Sequence, residues 1–313
     1  MKGGTDLKIT AGLGRVEDYP AFIHAGADEV FCGYVPDRWY ERFNMSSPLN
    51  RREVRYAHVQ IGSRNELKIL HSMTEDFGAP AVLTMNALFY LPNQYPIIAD
   101  IIQQCVQDGF QDFIIADPGL LFYLQDAGVQ IHVHLSGEAC VMNPQALAVF
   151  DSPMLRRIIF HRHLTIPEIE CCIRSSMHEG LEYEAFILNE RCHFHGGLCA
   201  TVHCDDLAPM CQIPYRCENI ASGEPIELTV PEQDPAVFGS TGCGLCAIHD
   251  LMTCGITHLK VVGRGNYTDC MLRDIQMIRH AVTVAESSPS ASAYLESVRS
   301  LRDSCSHNCY YAI

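Results

Sequence analysis

Short apolar runs of five or six residues, rich in Val, Ile and Phe, recur along this chain with helical segments between them, and this alternation constrains the fold more than any other feature. KITAG (8–12), EVFCGY (29–34), AVLTMN (81–86), DFIIAD (112–117), IHVHLS (131–136), RIIFHR (157–162), YEAFIL (183–188) and HLKVVG (258–263) read as eight buried strands. Helical segments fall at about 15–24, 64–77, 95–108, 143–150, 166–174 and 246–254, with a long one from about 268 to 300. Strand and helix in alternation imply a parallel sheet. Eight such units in 313 residues predict an α/β fold, a closed (β/α)8 TIM-like barrel forming one domain over 1–313, in preference to an open doubly wound sheet. The phrases GADEVF (26–31), DGFQDFIIADPG (108–119) and CGITHLKVVGR (254–264) each place a glycine between a helix and the strand that follows.

In such a barrel the C-terminal ends of the strands carry the chemistry. Here they read Asn86, Asp117 to Gly119, His134 to Glu138, Arg162 and His163, Asn189 to Cys192, and Gly263 with Arg264. One connection breaks the rhythm. From Asn189 to about Gly244 the chain runs without a sustained period, far beyond the usual connection of about 2–6 residues, and it is expected to fold over the C-terminal mouth as a Cys-rich insertion spanning 189–245.

Composition matters at this point because the chain holds 16 cysteines. No apolar stretch reaches the roughly 18 residues of a membrane span, and residues 1–10 lack the layout of a secretory signal. The expectation is a cytoplasmic protein whose cysteines serve metal or redox chemistry rather than disulfides. Cys32, Cys140, Cys171 and Cys172 sit in apolar contexts and read as small core residues. The insertion carries Cys192, Cys199, Cys204, Cys211, Cys217, Cys243 and Cys246, and only Cys243 and Cys246 have the tight spacing that zinc ribbons favour. Wide, uneven separations suit a cuboidal iron-sulfur cluster better, with zinc or unmetallated thiols as the alternatives. Lys plus Arg number 22 against 37 Asp plus Glu, a net charge of -15, so electrostatic binding of nucleic acid is not expected, and a small anionic molecule held by Arg162 and Arg264 is the preferred substrate.

The segment EAFILNERCHFHGGLC (184–199) resembles the signature of the collagenase-like peptidase family U32, with its Glu, aromatic and two cysteines falling at Glu184, Phe186, Cys192 and Cys199. GADEVFCGY (26–34), RFNM (42–45), FIIADPG (113–119), HVHLSGEACVMN (132–143), RIIFHRHLTIPEI (157–169) and LCAIHDLMTCGITHLKVVGR (245–264) are similar to further family segments in the same order. The resemblance implies kinship with oxygen-independent hydroxylation proteins that act in ubiquinone synthesis or on RNA bases and bind a 4Fe-4S cluster. Carried over by position, the ligands are Cys192, Cys199, Cys217 and Cys246, with Cys211 as the reserve for the third. It also leaves open a second family member, or a second copy of the chain, as partner. The chain departs from the family at Glu190 and Arg191, where Gly-Ala is usual, and at Glu138, His163 and Val262, which puts the identity of the substrate in doubt.

Among the remaining polar residues, His132 and His134 alternate on one strand, as do His161 and His163 in another segment. His134, His163 and Glu138 are candidates for moving a proton, although packed histidines and a solvated carboxylate would look the same. Arg162 and Arg264, with Asn86, are candidates for binding substrate; a strand-end Arg holds a carboxylate bidentately or forms a structural ion pair. Lys260 and the Arg51-Arg52 pair add positive charge. Proteolysis is disfavoured: there is no HExxH helix and no Gly-x-Ser-x-Gly elbow.

Overall fold

A computed structural model describes residues 7–43, 47–51, 59–176, 180–192, 199, 218–225, 237–299 and 307–311. Cys204, Cys211 and Cys217, with Arg52, lie outside the described residues. The strands are β1 (Lys8–Gly12), β2 (Glu29–Tyr34), β3 (Gln60–Ile61), β4 (Ala81–Met85), β5 (Asp112–Ile115), β6 (His132–Leu135), β7 (Leu155–Ile159), β8 (Glu182–Leu188) and β9 (His258–Val261). All pair in parallel, and eight of them close a barrel in the order β1-β2-β4-β5-β6-β7-β8-β9, with β9 returning to β1 through Lys8↔His258 and Thr10↔Lys260. The two-residue β3 is the addition. It pairs with the end of β2, Gly33↔Gln60 and Tyr34↔Ile61, and so lengthens the barrel wall at its C-terminal end.

The helices are α1 (Tyr19–Ala25), α2 (Asp37–Phe43), α3 (Arg64–Phe77), α4 (Tyr95–Gln107), α5 (Pro118–Asp126), α6 (Pro144–Val149), α7 (Ile166–Ser175), α8 (Ile248–Cys254), α9 (Thr268–Ser287) and α10 (Ala291–Ser297). Local chemistry sets their limits. Ser63 with Glu66 forms a capping box that starts α3, and Asp117 starts α5 by accepting from the Gly119 amide at 2.8 Å, with Pro118 in the first turn. Gly26 at φ 112° and Gly255 at φ 106° end α1 and α8 in the left-handed conformation and hand the chain to β2 and β9.

Two expectations need correction. The segment 268–300 is not one helix but α9 and α10, broken at Ser288 and Pro289, after which Ser290 caps α10 through the Ala293 amide. Proline has no amide hydrogen to continue the ladder. In addition, α2 and α5 were not expected, because each is too short to show a sustained apolar period.

A shell of buried Ile, Leu, Val and Phe lies between barrel and helices, including Ile98, Ile101 and Ile102 of α4, Ile275 and Ile278 of α9, and Val82, Phe113, Val133 and Leu259 of the strands. The barrel interior differs. Its strands place Thr10, Glu29, His134, Arg157, Glu184, His258 and Lys260 inward, all buried. No described helix is long and apolar enough to cross a membrane.

Candidate active site at the barrel mouth

The interior residues form one ionic network. Arg157 on β7 donates to Glu29 at 2.6 and 3.0 Å, to Glu184 at 2.8 Å and to Glu182 at 2.9 and 3.0 Å. Lys260 donates to Glu184 at 2.6 Å and lies 3.8 Å from the centre of the Phe31 ring. Burial alone would raise the Glu184 carboxyl, but Lys260 and Arg157 outweigh it and bring it down to about 2.

His258 is the neutral member of this network. Thr257 Oγ1 gives its proton to the Tyr183 carbonyl at 2.9 Å, so it accepts from His258 Nδ1 at 2.8 Å, leaving Nε2 to accept from Arg157 at 2.9 Å. Burial first and Arg157 second lower its pKa to about 4. Both shifts destabilise the fold in acid. A histidine depressed in the fold contributes stability that is complete above its unfolded value near 6.5 and is lost as pH falls through about 4. Glu184 adds a loss between its unfolded value near 4.5 and about 2. Unfolding free energy should therefore drop by about 3 kcal/mol between pH 7 and pH 4 from His258 alone, an effect that His258→Gln should remove in urea titrations at the two pH values.

His134 belongs to this interior and not to the mouth. Its Nε2 is 3.3 Å from Asp112 Oδ1 at the start of β5, and its side chain is 2% exposed. The sequence expectation that it stands at the open end is corrected: β6 ends one residue later, and the side chain leans toward the N-terminal rim.

At the C-terminal end the chain leaves β6 through a short 3-10 turn, Gly137–Ala139, whose start is fixed by the Ser136 hydroxyl accepting from the Glu138 amide at 3.2 Å. This turn presents Glu138 to Arg162, which donates from Nη1 at 2.7 Å, and to Arg51, whose Nε is 3.8 Å away. Burial would raise the Glu138 carboxyl; Arg162 and Arg51 together hold it below the usual carboxylate range. Asn86 Oδ1 accepts from the Arg51 amide at 3.0 Å, so Asn86 reaches the same cluster by positioning Arg51.

Arg162 is the pivot of this cluster. Its guanidinium carbon lies 4.1 Å above the Phe186 ring, and its buried Nε has no hydrogen-bond partner among the described residues. Arg264 has a separate seat. Its Nη1 donates to Thr84 at 3.2 Å and its guanidinium carbon lies 5.8 Å from the Phe31 ring centre. Gly33 makes that seat possible, since a Cβ there would stand 2.7 Å from Arg264 Nη1 and inside the Gln60 side chain.

Beyond β8 the backbone turns sharply: Asn189 at φ 67° and Glu190 at φ 54° are consecutive non-glycine residues in the left-handed region. The fold supports the strain from several sides. Asn189 donates to Asp274 at 2.9 Å and to the Val262 carbonyl at 3.2 Å, and its amide donates to the Gly242 carbonyl at 2.9 Å. Cys243 bridges to Leu188 on one side and to Cys309 on the other. His163 Nε2 donates to the Cys192 carbonyl at 2.5 Å, and its amide donates to His161 Nδ1 at 3.2 Å. His163 therefore holds the chain that leads to Cys192.

Sequence reasoning missed the segment 307–311. It lies across the end of β8, with the Tyr310 hydroxyl donating to the Asn189 carbonyl, the Tyr311 hydroxyl donating to the Phe186 carbonyl at 2.9 Å, and the Tyr310 ring stacked on Phe186 at 6.3 Å.

Of the four expected cluster ligands, Cys192, Cys199 and Cys246 are described and Cys217 is not. Cys192 follows β8, and Cys246 lies three residues past the Cys243 bridge, so both are tethered to the same strand end. Cys199 is buried, and Cys192 and Cys246 are half-buried. Among the described residues no three His, Cys, Asp or Glu side chains converge on a common metal position.

The arrangement is a parallel (β/α)8 barrel with a buried ionic network in its interior and a charged cluster of Arg51, Glu138 and Arg162 at its C-terminal mouth. The chain belongs to peptidase family U32, whose family model matches residues 14–312. It is 22% identical over 289 residues to a collagenase of Porphyromonas gingivalis, covering 85% of this chain and 64% of that protein. It is 24% identical over 174 residues to tRNA hydroxylation protein P of Escherichia coli, covering 56% of this chain and 34% of that protein. The chain thus spans less than two thirds of either relative. Similar solved structures include the U32 peptidase Mk0906, at 13% identity and TM-score 0.44, covering 60% of this chain and 70% of that one. A glycerophosphodiester phosphodiesterase from Parabacteroides distasonis is similar at 9% identity and TM-score 0.47, covering 90% and 100%.

Proposed function

We propose that this chain is an iron-sulfur enzyme that carries out an oxygen-independent hydroxylation, or a related redox group transfer, on a small anionic substrate. The observation that carries the substrate class is Arg162 Nε, buried at the mouth without a partner among the described residues while Nη1 is held by Glu138. An arginine offers a carboxylate a two-pronged edge, and an unmet buried donor is costly unless a ligand satisfies it. Phe186 and Tyr310 give that edge an apolar surround. Arg51 and Arg264 add positive charge at the same end of a chain whose net charge is -15.

On this reading Cys192, Cys199, Cys217 and Cys246 would hold a 4Fe-4S cluster; thiolate sulfur is the donor such a cluster takes, and Cys192 and Cys246 lie near the end of β8. When bound, such a cluster would supply electrons or carry the transferred atom. The protein's own residues have the remaining tasks. Arg162 orients the acid, and Glu138 is the carboxylate at the mouth able to accept a proton, a weak base because two arginines flank it. His163 keeps the backbone of Cys192 in place, and the strained turn at Asn189 and Glu190 aims it.

Arg162→Ala should weaken substrate binding by about 2–5 kcal/mol while leaving iron content unchanged. Unchanged kinetics toward the true substrate would remove Arg162 from the reading. A second reading, hydroxylation of an RNA base, is favoured by the name of the Escherichia coli relative. Tight, salt-sensitive binding of tRNA by the isolated protein would decide for it. The collagenase relative keeps peptide hydrolysis as the alternative class, which turnover of a collagen-derived peptide by cluster-free protein would support.

A further inference from the structure

The geometry points to Tyr310 as a positioning residue for Arg162, with the segment 307–311 forming a wall of the carboxylate site. This rests on the reading that Arg162 binds an anion and adds the device that presents its free edge. Two contacts define the guanidinium's place, Glu138 on Nη1 at 2.7 Å and the Phe186 face at 4.1 Å, and Tyr310, stacked on the same Phe186 ring, brings its hydroxyl toward it. Glu138 and Phe186 alone leave the plane free to swing about the Nη1 contact. Tyr310 closes that freedom from the neighbouring end of β8.

Tyr310 is itself fixed from three directions. Its amide donates to the Cys243 carbonyl at 2.8 Å, its hydroxyl donates to the Asn189 carbonyl, and its ring stacks on Phe186 with an interplanar angle of 24°. It is 6% exposed. A buried phenol committed to the strained residue at the end of β8 links the turn leading to Cys192 with the arginine that would hold the substrate. Because the guanidinium lies on the Phe186 face and Tyr310 stacks on the same ring, the site suits a carboxylate on a flat apolar body.

The test titrates the protein with benzoate, the simplest probe of that kind, by calorimetry in five forms: wild type, Tyr310→Phe, Arg162→Lys, the double variant of these two, and Arg162→Ala. Tyr310→Phe keeps the ring and loses the hydroxyl; it should bind benzoate about fivefold more weakly, with a lower Tm in both arginine backgrounds from the lost bond to the Asn189 carbonyl. In the Arg162→Lys background, where no fork remains to be aligned, the same change should have almost no effect, because the two residues act as one unit. An equal loss in both backgrounds, or none in either, overturns the assignment of Tyr310. If instead wild type binds no benzoate, or Arg162→Ala binds it as well as wild type, the anion reading itself fails.

Discussion

Arg157→Ala should cost the fold about 3–5 kcal/mol, the range for removing one partner from a buried ion pair. The reason is what stays behind. Glu184 is fully buried and Glu29 is 5% exposed, and Arg157 holds both by three hydrogen bonds of 2.6–3.0 Å. Lys260 would still serve Glu184, but Glu29 would keep only the Thr10 hydroxyl at 2.9 Å as a hydrogen-bond partner among the described residues and would have to bury its charge or take up a proton. Urea denaturation at pH 7 measures the loss directly. Arg157→Lys should fall between, since one ammonium cannot replace a fork that serves three carboxylates and His258. A denaturation midpoint for Arg157→Ala within error of wild type would show that the network contributes little.

The second large effect concerns the cofactor. Protein purified without oxygen should be brown and contain about four irons and four sulfides per chain, and Cys199→Ala should lose the colour and the activity together. Cys199 is buried and belongs to the insertion, so its loss removes a ligand that solvent cannot easily replace. Stoichiometric zinc without labile sulfide would replace the cluster with a structural metal. Full activity in cluster-free Cys199→Ala would end the redox mechanism.

The barrel was legible in the chain because each strand is a short buried run and most returns from a helix are marked by glycine. All eight predicted runs became barrel strands, and Gly26 and Gly255 end helices in the left-handed conformation as their positions implied. Short helices were less legible. DRWYERF and PGLLFYLQD each span about two turns, too few for a period to stand out from composition, although Asp117-Pro118 carried a start signal.

The site was legible where a side chain stood just past a strand, as with Glu138 and Arg162, which the structure brings to 2.7 Å. It was misread at His134, since alternation shows which face a residue shares but not how far along the barrel axis its partner stands. Tyr310 left no signal, because its meaning comes from a contact with Phe186 more than a hundred positions earlier in the chain. Only a motif linking paired tyrosines to the end of β8 could have found it. Asn189 did leave one: a non-glycine residue where a sharp turn follows a buried strand.

The lateness of Tyr310 bears on how the molecule is made. A ribosome releases every barrel strand before residues 307–311 emerge, so a nascent chain can close its cylinder while the floor beside Phe186 is still open to water. Completion of the mouth then has to follow emergence of the strands, since the Tyr310 hydroxyl can bond only to an Asn189 carbonyl that is already present. A chain halted a few residues early would carry the whole barrel and lack the piece that orients its arginine.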